Sequence, residues 1–277
     1  MTDALPGTAV RKVRIVAEVA VFWCGYLTIL FLISSVKTLV PERWGQLAWG
    51  LASSAALLPL SLVFLRRAKL SPRAAGLVPG PGSFPRLLAG ISMGLAVYGI
   101  NILAVALIAG PIHFARASDV NPGPIALTIC AILALAGMEE LGFRGYSLRI
   151  LNSSLGYWPA QGIVALAFGL SHIAFGWSWA NVLLGVIPSA LVFGIAAIAS
   201  GGLALPIGIH AGLNLARFFV GADDDSGVWR IVVPEAARDR IAALAPFIGV
   251  AITLLAAFGL WRWGQFCSNR RRSMGAE

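Results

Sequence analysis

Long apolar runs alternate with short polar connections along the whole chain. A helix needs about 20 apolar residues to cross the hydrocarbon core of a bilayer. Eight runs approach that length: Val13–Val36, Trp44–Leu65, Leu87–Gly110, Pro124–Gly142, Trp158–Trp177, Ala180–Ser200, Leu203–Val220 and Ala243–Trp263. The pattern predicts an all-α, polytopic membrane protein with about eight transmembrane helices, forming a single integral membrane domain over residues 1–277.

Composition supports this interpretation. The 277 residues are 58% hydrophobic and only 12% charged, with a mean hydropathy of +0.82, which no water-soluble domain of this size requires. The first apolar run follows basic residues, as in a signal peptide, but it is too long and lacks a small-residue cleavage site. We therefore expect it to be an uncleaved first helix.

The basic residues predict the orientation of the chain in the membrane. If the N-terminus is cytoplasmic, fourteen of the 21 basic residues fall on cytoplasmic segments: Arg11, Lys12, Arg14, Arg66, Arg67, Lys69, Arg73, Arg86, Arg144, Arg149, Arg262, Arg270, Arg271 and Arg272. Because basic residues are retained on the cytoplasmic side, both termini are expected there, in a plasma or inner cell membrane. The net charge of +9 then reflects this bias and attraction to anionic lipid, and nucleic acid is not an expected partner.

The polar connections and the small residues give little indication of function. Residues 66–86 form a basic, Pro- and Gly-rich segment that we expect to be a cytoplasmic loop. Residues 221–240 are the longest polar stretch and should lie outside; its run Asp223–Asp225 lacks the spacing of a calcium loop. Two GxxxG patterns predict close helix packing, and they consist of Gly90 with Gly94 and Gly208 with Gly212.

Five ionisable side chains fall inside the apolar runs, where each costs a few kcal/mol on insertion scales. They are Glu18, Glu139, Glu140, His172 and His210. Under the predicted orientation, all of these except Glu18 could meet at one depth, around a polar cavity that faces the cytoplasm.

Spacing within these runs suggests a hydrolytic site. Glu140 and Arg144 are one helical turn apart and can pair, and His210 and Asn214 share a helix face in the same way. A carboxylate close to a neutral histidine can hold and deprotonate a water molecule, while a second histidine and an asparagine can donate hydrogen bonds to an oxyanion. Alternatively, Glu139, His172 and His210 could hold a divalent metal such as Zn²⁺ as an open three-ligand site.

Three ordered motifs carry a resemblance to a known family. Glu139-Glu140-x-x-x-Arg144, Phe168-x-x-x-His172 and His210-x-x-x-Asn214 resemble the motifs of the CPBP family, which comprises type II CAAX prenyl endopeptidases and bacteriocin-processing or self-immunity proteins. The resemblance covers about residues 125–220. It implies an eight-helix fold in which Glu139 and His172 activate water, His210 and Asn214 form the oxyanion site, and Glu140 with Arg144 supports the motif helix.

The function expected from these features is intramembrane hydrolysis of a peptide bond in a membrane-associated peptide or protein, with or without a lipid modification. Two alternatives remain open. A family member without catalysis could act as a membrane binding or immunity protein. Intramembrane Glu, His and Arg also build proton relays in transporters, although the chain lacks the inverted repeats common in transporters. Glu18 matches no motif and is expected to pack or to reach the interface.

Overall fold

The computed structural model describes residues 6–118, 120–222 and 227–274, and these are predominantly helical. The α-helices are α1 (Pro6–Ile33), α2 (Gly45–Arg67), α3 (Ser83–Ile108), α4 (Pro122–Glu140), α5 (Tyr146–Leu155), α6 (Tyr157–Ala174), α7 (Trp179–Asn181), α8 (Ile187–Ser200), α9 (Ala204–Phe219) and α10 (Glu235–Met274). Short 3₁₀ turns cover Ser34–Thr38 and Glu42–Trp44, and π turns cover Leu141–Gly145 and Val182–Val186.

The helices confirm the prediction of an all-α polytopic membrane protein. Within the described residues, six segments are long and apolar enough to cross a membrane: Ala9–Thr38, Glu42–Arg67, Ser83–Ile108, Pro122–Leu155, Trp179–Ser200 and Glu235–Asn269. The other two expected spans are present as α6 and α9, with 18 and 16 residues. A helix of 16 residues is about 24 Å long, shorter than a hydrocarbon core of about 30 Å. The count of eight full spans is therefore not confirmed.

The structure differs from the sequence prediction at the end of the fourth apolar run and in the polar stretch 221–240. The fourth run, expected to end at Gly142, continues through a π turn and α5, so that the whole candidate span reaches Leu155. The polar stretch 221–240 contains strand β2 (Trp229–Val232) and the start of α10. Strand β1 (His113–Arg116) pairs antiparallel with β2. This pairing explains why part of the polar stretch forms regular secondary structure. The expectation for Asp223–Asp225 concerns residues outside the described ranges.

Neighbouring helices α1 and α2 run antiparallel and define two ends of the protein. The rings of Phe22 and Phe64 are 5.3 Å apart, and Trp49 Nε1 donates to the Leu30 carbonyl at 3.1 Å. The start of α1 and the end of α2 therefore share one end. We call this end the basic face, because it carries Arg11, Lys12, Arg14, Arg66, Arg67 and Lys69. The opposite face is the end at which α1 finishes and α2 begins.

The two GxxxG patterns pack against each other, which confirms the close approach predicted from sequence. Helices α3 and α9 run parallel, and a Cβ atom added to Gly90 would lie 2.9 Å from Gly208 Cα. An added Cβ on Gly94 would lie 2.8 Å from the Gly212 carbonyl carbon. His210 lies two residues from each glycine of α9, which rotates it about 200° from them. The packing therefore turns His210 away from α3.

Candidate active site

The Glu139–Glu140 pair stands at the C-terminal end of α4, where a π turn changes the helix. π turns inside α-helices occur frequently at functional sites. Ser147 Oγ donates to the carbonyls of Gly142 and Phe143 at 2.9 and 3.0 Å, which satisfies acceptors that the altered hydrogen-bond pattern frees. Gly142 lies against the Tyr26 ring, where an added Cβ would approach ring atom Cδ2 to 2.6 Å. The π turn and Gly142 thus let α1 approach the motif helix closely.

Glu140 and Arg144 form the ion pair predicted from their spacing. Arg144 Nη1 lies 3.2 Å from Glu140 Oε1, and both side chains are 0% exposed. Arg144 Nη2 donates to the Ala190 carbonyl at 3.0 Å, and the guanidinium carbon lies 4.5 Å from the centre of the Phe168 ring. A charge buried this deeply is tolerated only when it is paired, so this pair joins the motif helix to α8.

His210 joins the same carboxylate from the other side. His210 Nδ1 lies 3.0 Å from Glu140 Oε1. An ionised carboxylate can only accept hydrogen bonds, so Nδ1 carries a proton and donates to Glu140. The imidazole also stacks on Phe193, with ring centroids 4.5 Å apart and planes inclined by 10°. These two contacts fix the orientation of the ring.

Glu139 differs from Glu140 in its access to solvent. Its side chain is 21% exposed, and Oε2 lies 3.6 Å from His210 Nε2. That separation is too long for a direct hydrogen bond. Oε2 itself is buried and accepts no hydrogen bond from the described part of the chain, so the exposed part of the side chain lies away from this oxygen. Of the two adjacent carboxylates, Glu139 is therefore the accessible one and Glu140 the buried one.

His172 lies near the end of α6 with a defined ring orientation. Its Nδ1 is 2.9 Å from the Phe168 carbonyl oxygen. Because a carbonyl only accepts, Nδ1 carries the proton and Nε2 is left with its lone pair. The ring contacts Phe168 at 4.6 Å and Trp177 at 5.1 Å between centroids.

The three motifs meet around Phe168, but not with the pairing that the sequence suggested. The Phe168 ring contacts both His172 and His210, at 4.6 and 6.1 Å between centroids. Across the described residues, His172 forms neither an ion pair nor a hydrogen bond with Glu139, which lies against His210 instead. The expected joint action of Glu139 and His172 therefore stays a prediction.

Asn214 and Glu18 complete the set singled out from sequence. Asn214 is half-buried on α9, one turn after His210, and no hydrogen bond from the described residues occupies its amide. Glu18 pairs with Arg14 at 3.0 Å, and its own side chain is 31% exposed. Glu18 therefore belongs to the surface of α1, in agreement with its lack of a motif.

The geometry also tests the proposed metal ligands. Among the residues that the structure describes, no three His, Cys, Asp or Glu side chains converge closely enough to hold a metal ion. Glu139 and His210 lie together, whereas His172 does not complete the set. The arrangement does not fit the three-ligand site, and we derive no chemical step from a metal.

Sequence reasoning missed Tyr26 and Phe193, which shape this site. Phe193 stacks on His210, and the buried Tyr26 ring packs on Gly142 and Phe143. Both lie in uniformly apolar runs, where an aromatic residue carries no local signal of a functional contact. Only the tertiary packing identifies them.

Two cavities lie away from this cluster. One of about 440 Å³ lies among α6, α8 and α10 and is lined in part by Tyr157, Trp261 and Cys267. Another of about 410 Å³ lies between α2 and α4 beside Arg43 and Trp44. No motif residue lines either cavity, so the candidate site is defined by the convergence of polar groups.

Comparison with known proteins supports the importance of the same segment. Residues 121–216 match the family model described as Rce1-like, type II CAAX prenyl endopeptidase. The matched range contains Glu139, Glu140, Arg144, His172, His210 and Asn214. A comparison with curated proteins gave no match. Residues 121–216 of this multi-pass membrane protein are therefore similar to the Rce1-like family of CAAX proteases.

Proposed function

We propose that this protein is an intramembrane endopeptidase that hydrolyses a peptide bond of a membrane-associated peptide or protein. One observation carries the proposal: an accessible carboxylate, Glu139, lies beside a buried network of Glu140, Arg144 and His210. A buried network that fixes one accessible base is the arrangement that general base catalysis requires. The family match is consistent with protease chemistry.

Glu139 acts as the general base in this mechanism. Its carboxylate takes a proton from water as the water oxygen attacks the carbonyl carbon of the scissile bond. The proton then passes from Glu139 to the departing amine when the C–N bond breaks, which restores the carboxylate. His172 supplies a second acceptor for this water through the lone pair on Nε2, because its Nδ1 proton is engaged with the Phe168 carbonyl.

His210 and Asn214 stabilise the oxyanion. His210 Nε2 can donate only when the ring carries both protons, and that form balances the charges of the network: two carboxylates against Arg144 and the imidazolium. The Asn214 amide, one turn further along α9 and without a partner in the described residues, supplies the second donor. A preorganised donor of this kind contributes about 2.7–4 kcal/mol to barrier lowering.

Glu140 and Arg144 are positioning residues. Both are fully buried, so neither can contact substrate in this conformation. Glu140 Oε1 accepts hydrogen bonds from both Arg144 Nη1 and His210 Nδ1. This shared acceptor holds α4 and α9 at a fixed separation. The pair therefore maintains the distance between Glu139 and His210.

The expected partners are the lipid bilayer and a membrane-associated substrate, with or without a lipid modification. The distribution of basic residues favours a cell membrane location with both termini in the cytoplasm. A bound divalent metal such as Zn²⁺ remains to be tested by measuring the zinc content of purified wild-type protein and of His172→Ala. Equal, substoichiometric zinc in both proteins is the result that the mechanism predicts.

The proposal is tested by a survey of new peptide termini in host membranes. Cells that carry the wild-type protein are compared with cells that carry Glu139→Gln at matched expression. Termini present only with the wild type establish proteolysis and identify the substrate. If the two sets of termini agree while both proteins are folded, the polar cluster serves binding or transport, and proton-coupled uptake into liposomes separates those two.

A further inference from the structure

We propose that the Glu139 site opens toward the opposite face of the protein and is reached from the extracytoplasmic side. The substrate would then be an exported or membrane-anchored peptide whose scissile bond lies in the outer half of the bilayer or beside it. The identity of the reaction rests on the proposed function, whereas the direction of opening does not.

Packing closes the site on the side of the basic face. Beyond Glu140 the chain runs through Leu141–Leu148, and all eight residues are buried. Phe143 packs edge-on against Tyr26, with centroids 5.1 Å apart. One turn further toward the basic face, Tyr146 contacts Phe22 at 5.1 Å and Phe64 at 5.3 Å. These rings fill the space between α1, α2 and the π turn on the side of Glu139 toward the basic face.

On the side toward the opposite face, the chain beside the site is exposed to solvent. Helix α6 ends at Ala174, two residues after His172, and the connection to α7 is exposed at every position from Phe175 to Ser178. Trp177 is 46% exposed and contacts the His172 ring at 5.1 Å. Phe175 contacts Trp49 near the start of α2, at 6.0 Å between centroids. This exposed connection therefore joins the His172 edge of the site to the opposite face.

The basic face is cytoplasmic by the distribution of charge. Leaving out the buried Arg144, thirteen basic residues fall on segments at that face, against seven on the other: Lys37, Arg43, Arg116, Arg217, Arg230, Arg238 and Arg240. Because Lys and Arg are retained on the cytoplasmic side, the opposite face is extracytoplasmic. An opening on that face gives access to exported segments and not to a C-terminus held in the cytoplasm.

This direction differs from the cavity toward the cytoplasm that the sequence suggested. That expectation placed Glu139 in the cytoplasmic half because the fourth run was taken to end at Gly142. The helical span in fact runs from Pro122 to Leu155, so Glu139 stands near its middle. The polar π turn and amphipathic α5 hide this continuation in the sequence.

Cysteine accessibility tests the opening without any need for peptidase activity. In a background with Cys24, Cys130 and Cys267 replaced by Ser, Glu139→Cys reports on the site itself and Ser178→Cys on the exposed connection. Ser71→Cys, in the exposed loop after α2, serves as the matched control for the basic face. Each variant is treated with a membrane-impermeant maleimide in right-side-out and in inside-out vesicles.

We expect Glu139→Cys and Ser178→Cys to react at least about tenfold faster in right-side-out vesicles, and Ser71→Cys to show the reverse preference. Preferential reaction of Glu139→Cys in inside-out vesicles would overturn the proposal. So would a Glu139→Cys that reacts in neither preparation while Ser178→Cys reacts, since the site would then be sealed from water. If labelling follows the expected pattern but no membrane termini depend on Glu139, the opening stands and the peptidase assignment fails.

Discussion

His210 and Glu140 lie 70 positions apart in the chain, yet His210 Nδ1 is 3.0 Å from Glu140 Oε1. The same oxygen accepts from Arg144 Nη1 at 3.2 Å. One buried carboxylate oxygen therefore links α9 to the motif helix, while the adjacent Glu139 keeps an exposed fraction of 21%. The two adjacent glutamates therefore differ in environment: Glu140 is buried and paired, whereas Glu139 is partly exposed.

The difference in burial between Glu139 and Glu140 predicts opposite outcomes for two isosteric substitutions. Glu139→Gln should lower the rate of cleavage by about 10²–10⁴-fold, the usual contribution of a general base, with a melting temperature close to that of the wild type. Glu140→Gln should lower the melting temperature, because it leaves Arg144 and His210 beside a neutral amide. Differential scanning fluorimetry in detergent and a peptidase assay measure the two effects. A large loss of thermal stability in Glu139→Gln would contradict this division.

Arg144 should be required for stability through its charge and its geometry. Arg144→Met should destabilise the protein by about 3–5 kcal/mol, as expected when one partner of a buried ion pair is removed. Arg144→Lys retains the charge but has no planar fork to reach Glu140 and the Ala190 carbonyl together, so it should rescue only part of this loss. Urea unfolding of the three proteins in the same detergent measures the difference. Equal stability of the wild type and Arg144→Met would show that the pair does not hold the helices.

The close approach of α1 to the π turn can be tested with a matched pair of glycines. Gly142→Ala places a Cβ atom 2.6 Å from Cδ2 of Tyr26 and should cost about 1–3 kcal/mol, as overpacking of a core usually does. Gly137→Ala, on the same helix, meets no atom within 4 Å and should leave stability unchanged or slightly increased. Tyr26→Leu should restore part of the stability of Gly142→Ala. Loss of equal size at both glycines would point to backbone effects in place of the Tyr26 contact.

The oxyanion assignment predicts that His210 and Asn214 affect the rate more than substrate binding. Asn214→Ala should reduce kcat by about 10²–10³-fold with little change in KM, because its amide acts on charge that develops only in the transition state. His210→Ala should reduce kcat at least as much, and should also lower the melting temperature through the lost contact with Glu140. Steady-state kinetics with a fixed peptide separates kcat from KM. An Asn214→Ala protein that changes only KM would assign Asn214 to substrate binding.

The α3–α9 packing should control the position of His210 from a distance. Gly208→Ala drives a Cβ atom into the Leu87 carbonyl, so it should both destabilise the protein and reduce activity. Gly99→Ala on α3, where an added Cβ meets no atom within 4 Å, is the control and should be silent in both assays. The melting temperature and the cleavage rate of the two variants test this prediction. Full activity of Gly208→Ala would show that the spacing of α3 and α9 does not matter for the site.

Sequence periodicity and motif spacing were sufficient for the helical membrane architecture, for the packing of the GxxxG glycines and for the Glu140–Arg144 contact. These features depend on local patterns, because an i, i+4 pair and a small-residue face are encoded within one helix. The residue that lies against Glu139 could not be predicted from a local pattern of this kind. Whether His172 or His210 lies against it depends on the relative rotation of α6 and α9, which a single sequence does not specify.

The extent of the fourth span shows a second limit of local patterns. Glu139, Glu140 and Arg144 interrupt the apolar run, which suggested an end near Gly142, whereas the buried ion pair allows the helix to continue to Leu155. The polarity of α5 had the same misleading effect. Burial by tertiary contacts therefore decided both the length of this span and the depth of Glu139 within it.

The most direct test of the central claim is cleavage by purified protein in liposomes. A peptide identified by its new terminus is incubated with wild-type protein, with Glu139→Gln and with Glu18→Gln, whose carboxylate lies on the α1 surface. We predict equal cleavage by wild type and Glu18→Gln, and a rate at least about 100-fold lower for a folded Glu139→Gln, in keeping with the loss of a general base. Cleavage by Glu139→Gln at the wild-type rate would contradict the assignment of Glu139 as the base.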